Sequence, residues 1–239
     1  MFSICALLAG AAVASEVIVL SAGAIEPGLR AAVADFQQAT IHRARVTFNT
    51  APQIRKRIDA GERWDVVIAP PAVLDDLARA GKVQRDRANV GRVGVGVAVR
   101  SGAPAPDVST VPALQRAMVD ADAVVFNRAS TGMHVEQWLR KAGLYDQLGD
   151  RVVRYDDGAS VMEHVLKSTG REIAFGAMTE ILLYRDRGLQ FVGPLPSAIQ
   201  NYTSYAAATT GTGGAPAEVL VHFLGSPRGR EAFKAAGVE

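Results

Sequence analysis

Short apolar runs alternate with amphipathic stretches along almost the whole chain. Val17–Leu20 reads as a strand, and from Ile25 to Ala39 the residues Leu29, Val33 and Phe36 share one face at helical spacing. "RVTF" (Arg45–Phe48) predicts a second strand, and Ile54 and Ile58 form the buried stripe of a helix stopped by Gly61. "DVVIAP" (Asp65–Pro70) predicts a wholly buried strand, followed by a helix through Leu74 and Leu77 to Gly81. "RVGVGVAVR" (Arg92–Arg100) is the longest strand candidate, and the Pro/Gly/Ser-rich "SGAPAPDVSTVP" follows it. A second series then begins with "AVVF" (Ala123–Phe126) and a helix from Thr131 with Val135, Trp138 and Leu139 inward. It continues through "RVVRY", a helix with Val161 and Val165, and "EIAFG". "QFVGPLP", a strand-like "YTSYAAATT" and helices around Val219–Leu224 and Gly229–Ala236 close the chain.

Such alternation predicts an α/β fold with largely parallel sheets, and two series separated by a Pro/Ser-rich crossover predict two lobes. The 239 residues suffice for two lobes of about 100 residues each. Hydrophobic residues at 49% and charged residues at 21% exclude a disordered chain. A net charge of +2 with scattered basic residues excludes a nucleic-acid footprint, so no nucleic-acid partner is expected.

The first fifteen residues, "MFSICALLAGAAVAS", are apolar and small, and they end in the A-x-A pattern Ala12-Val13-Ala14. They read as an export signal over residues 1–15, too short for a membrane span; a buried first element is the alternative. Cys5 is the only cysteine, so a mature chain has no thiol for a nucleophile, a metal site or a disulfide.

Three segments carry a family resemblance: "IRKRIDAGERWDVVIAP" (Ile54–Pro70), "GMHVEQWLRKAGLYDQL" (Gly132–Leu148) and "LGSPRGREAFKAAGV" (Leu224–Val238). In order and spacing they resemble the periplasmic solute-binding proteins of ABC transporters, in particular the molybdate-binding branch. The resemblance implies the type II two-lobed fold, with residues 16–100 and 203–239 in one lobe and 101–202 in the other. Crossings are then expected near Ser101 and Asn201, with an anionic ligand in the cleft between the lobes. It further implies a periplasmic monomer that delivers its ligand to a membrane permease, with no cofactor.

Strand-to-helix turns are where open α/β sheets bind ligands, because helix N-termini present free amides there. Four occur here, at Ser21–Ile25, Asn49–Pro52, Ser130–Gly132 and Asp156–Ser160. The first, "SAGAIEP", reads as a backbone cradle whose small residues admit close approach. Molybdate-binding relatives hold their oxyanion with backbone N–H groups and hydroxyls. Matched to those motifs, the hydroxyl positions fall on Ala24, on Ala51 beside Thr50, and on Phe175, while the third helix start falls on Thr131 and the fourth on Asp157 or Gly158. A hydrogen bond to a charged group is worth about 1.5–3 kcal/mol, so three lost hydroxyls weaken oxyanion binding steeply.

Other side chains read two ways. Asp156 and Asp157 are helix caps or acceptors facing the cleft; Phe175 is an apolar wall or a core aromatic; Arg128 is a carboxylate clamp or a surface arginine. The expected site is therefore Ser21, Ala24, Thr50, Ala51, Arg128, Ser130, Thr131, Asp157 and Phe175, holding a small organic acid. An inorganic oxyanion such as molybdate or tungstate, held by backbone amides, is the alternative. The four histidines form no metal or catalytic motif, and there is no G-x-S-x-G and no P-loop, so a binder rather than an enzyme is expected.

Overall fold

The computed structural model describes residues 14–239, so the expected export signal lies almost wholly outside the described residues. The chain runs β1 (Glu16–Ala22), α1 (Glu26–Ala39), β2 (Arg43–Asn49), α2 (Ala51–Asp59), β3 (Val66–Ala69), α3 (Pro71–Arg79) and β4 (Ala88–Arg100). It continues with α4 (Val111–Asp120), β5 (Val124–Asn127), α5 (Ser130–Lys141), α6 (Leu144–Leu148), β6 (Val152–Tyr155), α7 (Gly158–Lys167) and β7 (Ile173–Ala177). Then follow α8 (Met178–Leu183), β8 (Leu189–Pro194), β9 (Tyr202–Thr209), α9 (Gly214–Gly225) and α10 (Pro227–Ala235). The apolar pattern anticipates most of these; α6 and α8 carry too few turns to show a stripe, and α4 buries only Ala113, Leu114 and Met118.

The strands form one curled path in the order β2-β1-β3-β9-β4-β7-β5-β6, with β8 also on β4. Within each half β1 pairs in parallel with β2 and β3, and β5 with β6 and β7. Every pairing of β4 and β9 is antiparallel, so the sheet is mixed rather than largely parallel. Strand β4 joins the halves. Its Ala88–Gly94 segment lies on β9, and from Val95 onward it lies on β7 and β8.

Side chains on a strand alternate between faces, and this builds the cores. One core takes Val19, Leu20, Val67, Ala207, Phe36 and Phe233, with Val90 and Val93 of β4. In the other half Val97, Val99, Phe126 and Phe175 face Leu114, Val135 and Leu139 of α4 and α5. Their neighbours Ala98, Val125 and Ala174 face Val161, Met162, Val165 and Ile181 of α7 and α8. The core thus changes between Val93 and Val95. The carboxyl ends of β1 and β2 in one lobe and of β5 in the other converge on the cleft.

Candidate functional site: the interlobe chamber

A small chamber of about 30 Å³ lies in the cleft. Gly23 and Ala24 after β1, Asn49 to Ala51 at the start of α2, and Pro70 line it from one lobe. Asn127 and Ala129 to Thr131 line it from the other, and Glu180 and Tyr205 complete the wall. Among the described residues no lysine, arginine or histidine lines it.

Local hydrogen bonding aims free amides at this space. Asn127 Oδ1 accepts from the Ala129 N–H at 3.0 Å and the Gly132 N–H at 3.2 Å. A Cβ on Gly132 would overlap the Asn127 carbonyl, so only glycine lets α5 sit this close to the end of β5. The amides of Ser130 and Thr131, which open α5, have no intrahelical acceptor and belong to the chamber wall. At α2, the Thr50 N–H donates to Gln53 Oε1 at 2.9 Å, and Pro52 has no N–H. The Ala51 amide is left at that helix start.

Glu180 is the unexpected member. It stands in the first turn of α8, directly after β7. Its carboxyl fills the space that a side chain on Gly158 would need and lies 3.0 Å from where a Cβ on Gly23 would stand. The start of α7 is therefore occupied by this carboxyl. Burial pushes the Glu180 carboxyl up to about 7, the charges of Asp157 and Glu26 push the same way, and the Ala177 amide only partly opposes them. Burial, together with Glu180, also raises the Tyr205 phenol, which stays protonated.

Of the residues expected from sequence, Ala24, Thr50, Ala51, Ser130 and Thr131 meet in the chamber. Ser21 is fully buried, and its hydroxyl donates to the Ala22 carbonyl at 3.2 Å. Asp157 caps α7, accepting the Ser160 N–H at 2.7 Å, and reaches the chamber only through its field on Glu180. Arg128 is an exposed arginine that donates to the Arg154 carbonyl and pairs with Asp156 at 3.2 Å. Phe175 is fully buried on the α4/α5 face of β7, because it shares the side of the sheet with Val97 and Phe126. Tyr205 of β9 also lines the chamber, as do the hydroxyl-bearing Thr50, Ser130 and Thr131.

Sequence reasoning missed Glu180, Tyr205 and Asn127, and placed Asn49 only at the edge of a turn. The available signal was a fifth strand-to-helix turn, "IAFGAMTE", with an acidic residue in its first turn. The chamber shares Ala51, Pro70 and Ser130 with a mouth of about 540 Å³ between α2, α3 and α5. Pro52, Val73 and the exposed Met133 make the mouth largely apolar, and Arg55 and His134 also line it. Arg55 pairs with Asp76 at 2.5 Å, and His134 Nε2 lies 2.8 Å from the Ile199 carbonyl.

Comparison with known proteins puts this cleft in context. An aconitate isomerase from Pseudomonas sp is 26% identical over 229 residues, which cover 92% of this chain and 86% of that protein. The periplasmic molybdate-binding protein of Azotobacter vinelandii superposes with a TM-score of 0.74 at 16% identity, over 93% of this chain and 98% of that one. L-phospholactate-bound PEB3, a Campylobacter jejuni protein, gives a TM-score of 0.69 at 11% identity, over 92% and 98%. The expectation of a binder without catalysis is corrected by the first of these, a relative that bears an enzyme's name. That expectation rested on contiguous catalytic motifs, whereas Glu180 enters the cleft from a motif-free helix. The model of bacterial extracellular solute-binding proteins matches residues 17–239, and the chain belongs to that family.

Proposed function

We propose that chamber and mouth together take a small organic polycarboxylate of the kind aconitate represents, and that the chain isomerises it. The observation that carries this reading is that the chamber and the mouth share Ala51, Pro70 and Ser130 in their walls. One carboxylate of the ligand meets the amides of Ala51, Ser130 and Thr131, where helix N-termini favour negative charge. The carbon body crosses Pro52, Val73 and Met133, and a second carboxylate reaches the side of Arg55 and His134. A tetrahedral inorganic anion has no body with which to use the mouth. The relative named aconitate isomerase supports an unsaturated tricarboxylate, and PEB3 supports an organic anion on the same fold.

The hydroxyls of Thr50, Ser130, Thr131 and Tyr205 favour a second reading, in which the chamber alone holds molybdate, tungstate or a similar oxyanion. In either case ligand entry needs the lobes to part, because the chamber is far smaller than such a ligand. We take the moving lobes to be residues 16–94 with 202–239, and 95–201, hinged in β4 and before β9. In the family's transport role the closed, exported monomer would present both lobes to an ABC-transporter permease. Among the described residues no helix is long and apolar enough to cross a membrane.

Incubation of the protein with cis- or trans-aconitate, followed by NMR, tests the reading. The other geometric isomer is expected to accumulate with time. Aconitate that binds without conversion would leave the ligand standing and remove the isomerase.

A further inference from the structure

We infer that Glu180 is the catalytic acid–base group of this chain, carrying one proton between the two ends of the allylic system of an unsaturated polycarboxylate held in the chamber. The inference rests on the polycarboxylate reading above and names the group that does its chemistry.

Glu180 lines the chamber together with Ser130 and Thr131 and with Thr50 and Ala51. It is the one carboxyl side chain among the described chamber-lining residues. Gly23 and Gly158, bare of side chains, leave the room its carboxyl occupies. A purely structural role is available: an acid at this position in a helix's first turn can accept the amide of the residue before the helix, here Ala177. Glutamine would fill that role equally well. A carboxyl here instead sits between Asp157 ahead of α7 and Glu26 at the start of α1, with Tyr205 of β9 and Tyr184 at the end of α8 as the other titratable groups sensing its charge. No cation contributes to its field, and the position is costly unless the carboxyl works.

The step balances without a co-reactant. Ionised Glu180 takes a proton from the CH2 that lies between a carboxylate and the carbon–carbon double bond. The C–H electron pair becomes the new double bond. The former π pair at the far carbon then takes a proton back from the Glu180 carboxylic acid, and exchange of that acidic proton with water in part of the turnovers brings solvent deuterium into the product. Between the two half-steps the charge spreads onto the carboxylates borne by the two ends of the allylic system, and the one held at the start of α5 is met by the amides there. A carboxyl with an affinity for protons near neutrality suits both halves of this transfer.

The test follows deuterium uptake from D2O into the allylic CH2 of aconitate by NMR, with aconitate binding measured by calorimetry. Glu180→Gln is expected to slow uptake by about 100-fold or more while leaving binding within about threefold. In the unaltered protein, uptake should rise with pH to a plateau with a midpoint near 7. Uptake by Glu180→Gln within threefold of the unaltered protein overturns the inference. A flat pH profile for the unaltered protein from about pH 5.5 to 8.5 does the same and does not depend on the variant folding. Aconitate bound by the unaltered protein without any uptake removes the role of Glu180 and leaves the ligand reading; failure of aconitate to bind removes both.

Discussion

The side chain of Gln200 pairs with the backbone of Val95 as a neighbouring strand would. Its Nε2 donates to the Val95 carbonyl at 3.0 Å, and its Oε1 accepts the Val95 N–H at 3.0 Å. This happens where β4 leaves β9 and joins β7 and β8, so the side chain reinforces the backbone bonds of Asn201 and Leu195 at the junction between the lobes. Val95 is buried, and each hydrogen bond lost there costs about 0.5–1.5 kcal/mol net. Gln200→Leu should therefore lower unfolding free energy by only about 1–2 kcal/mol in urea titrations, because the Asn201 carbonyl still accepts the Val95 N–H at 3.2 Å and the Leu195 N–H still donates to the Val95 carbonyl at 3.1 Å. A loss under about 0.5 kcal/mol would mean that the Asn201 and Leu195 backbone contacts carry the junction without Gln200.

Glu180 should give the fold a distinctive pH dependence. Its carboxyl is raised from 4.5 to about 7 in the folded chain, so the folded state holds a proton that the unfolded state has released. The sign follows: below about pH 4.5 there is no penalty, between 4.5 and 7 stability falls as pH rises, and above 7 the penalty is complete. After a discount for the water that reaches the chamber, the penalty is about 2 kcal/mol. Glu180→Gln should match the unaltered protein near pH 4.5 and exceed it by about that amount at pH 8. Equal stability at both pH values would show that the carboxyl is well solvated.

Gly132→Ala should be among the most damaging single-methyl changes. The new Cβ overlaps the Asn127 backbone carbonyl, and neither β5 nor α5 can retreat without breaking the two bonds to Asn127 Oδ1. A loss of about 3 kcal/mol or more is expected in thermal or urea unfolding, with loss of ligand binding in whatever remains folded. Near-normal stability and binding would show that α5 does not depend on this close approach.

The mouth should matter only for ligands long enough to reach it. Arg55→Ala and His134→Ala are each expected to weaken a tricarboxylate by about fivefold to thirtyfold, or about 1–2 kcal/mol. A monocarboxylate should lose less than about twofold. Equal losses for both ligands would place the effect in the fold rather than in recognition.

The architecture was legible because burial on both faces of β3, β5 and β7 writes continuous apolar runs, and because α1, α5 and α7 show long one-sided stripes. Three helix starts of the chamber were legible for the same reason. Phe175 misled because alternation along β7 decides its side, and its motif position alone does not. Arg128 misled because its partners, the Arg154 carbonyl and Asp156, are 26 and 28 residues away in sequence. Glu180 stayed hidden because α8 has only six residues, and its neighbours Gly23 and Gly158 come from distant segments. Such convergence exists only once the chain is folded.

The most direct test of the ligand assignment is calorimetry of one preparation titrated with aconitate and, separately, with molybdate and tungstate. The account predicts saturable binding of aconitate at micromolar concentrations, about −8 kcal/mol or better, and at least tenfold weaker binding of either metal oxyanion. Tight binding of molybdate or tungstate with no heat from aconitate would contradict it.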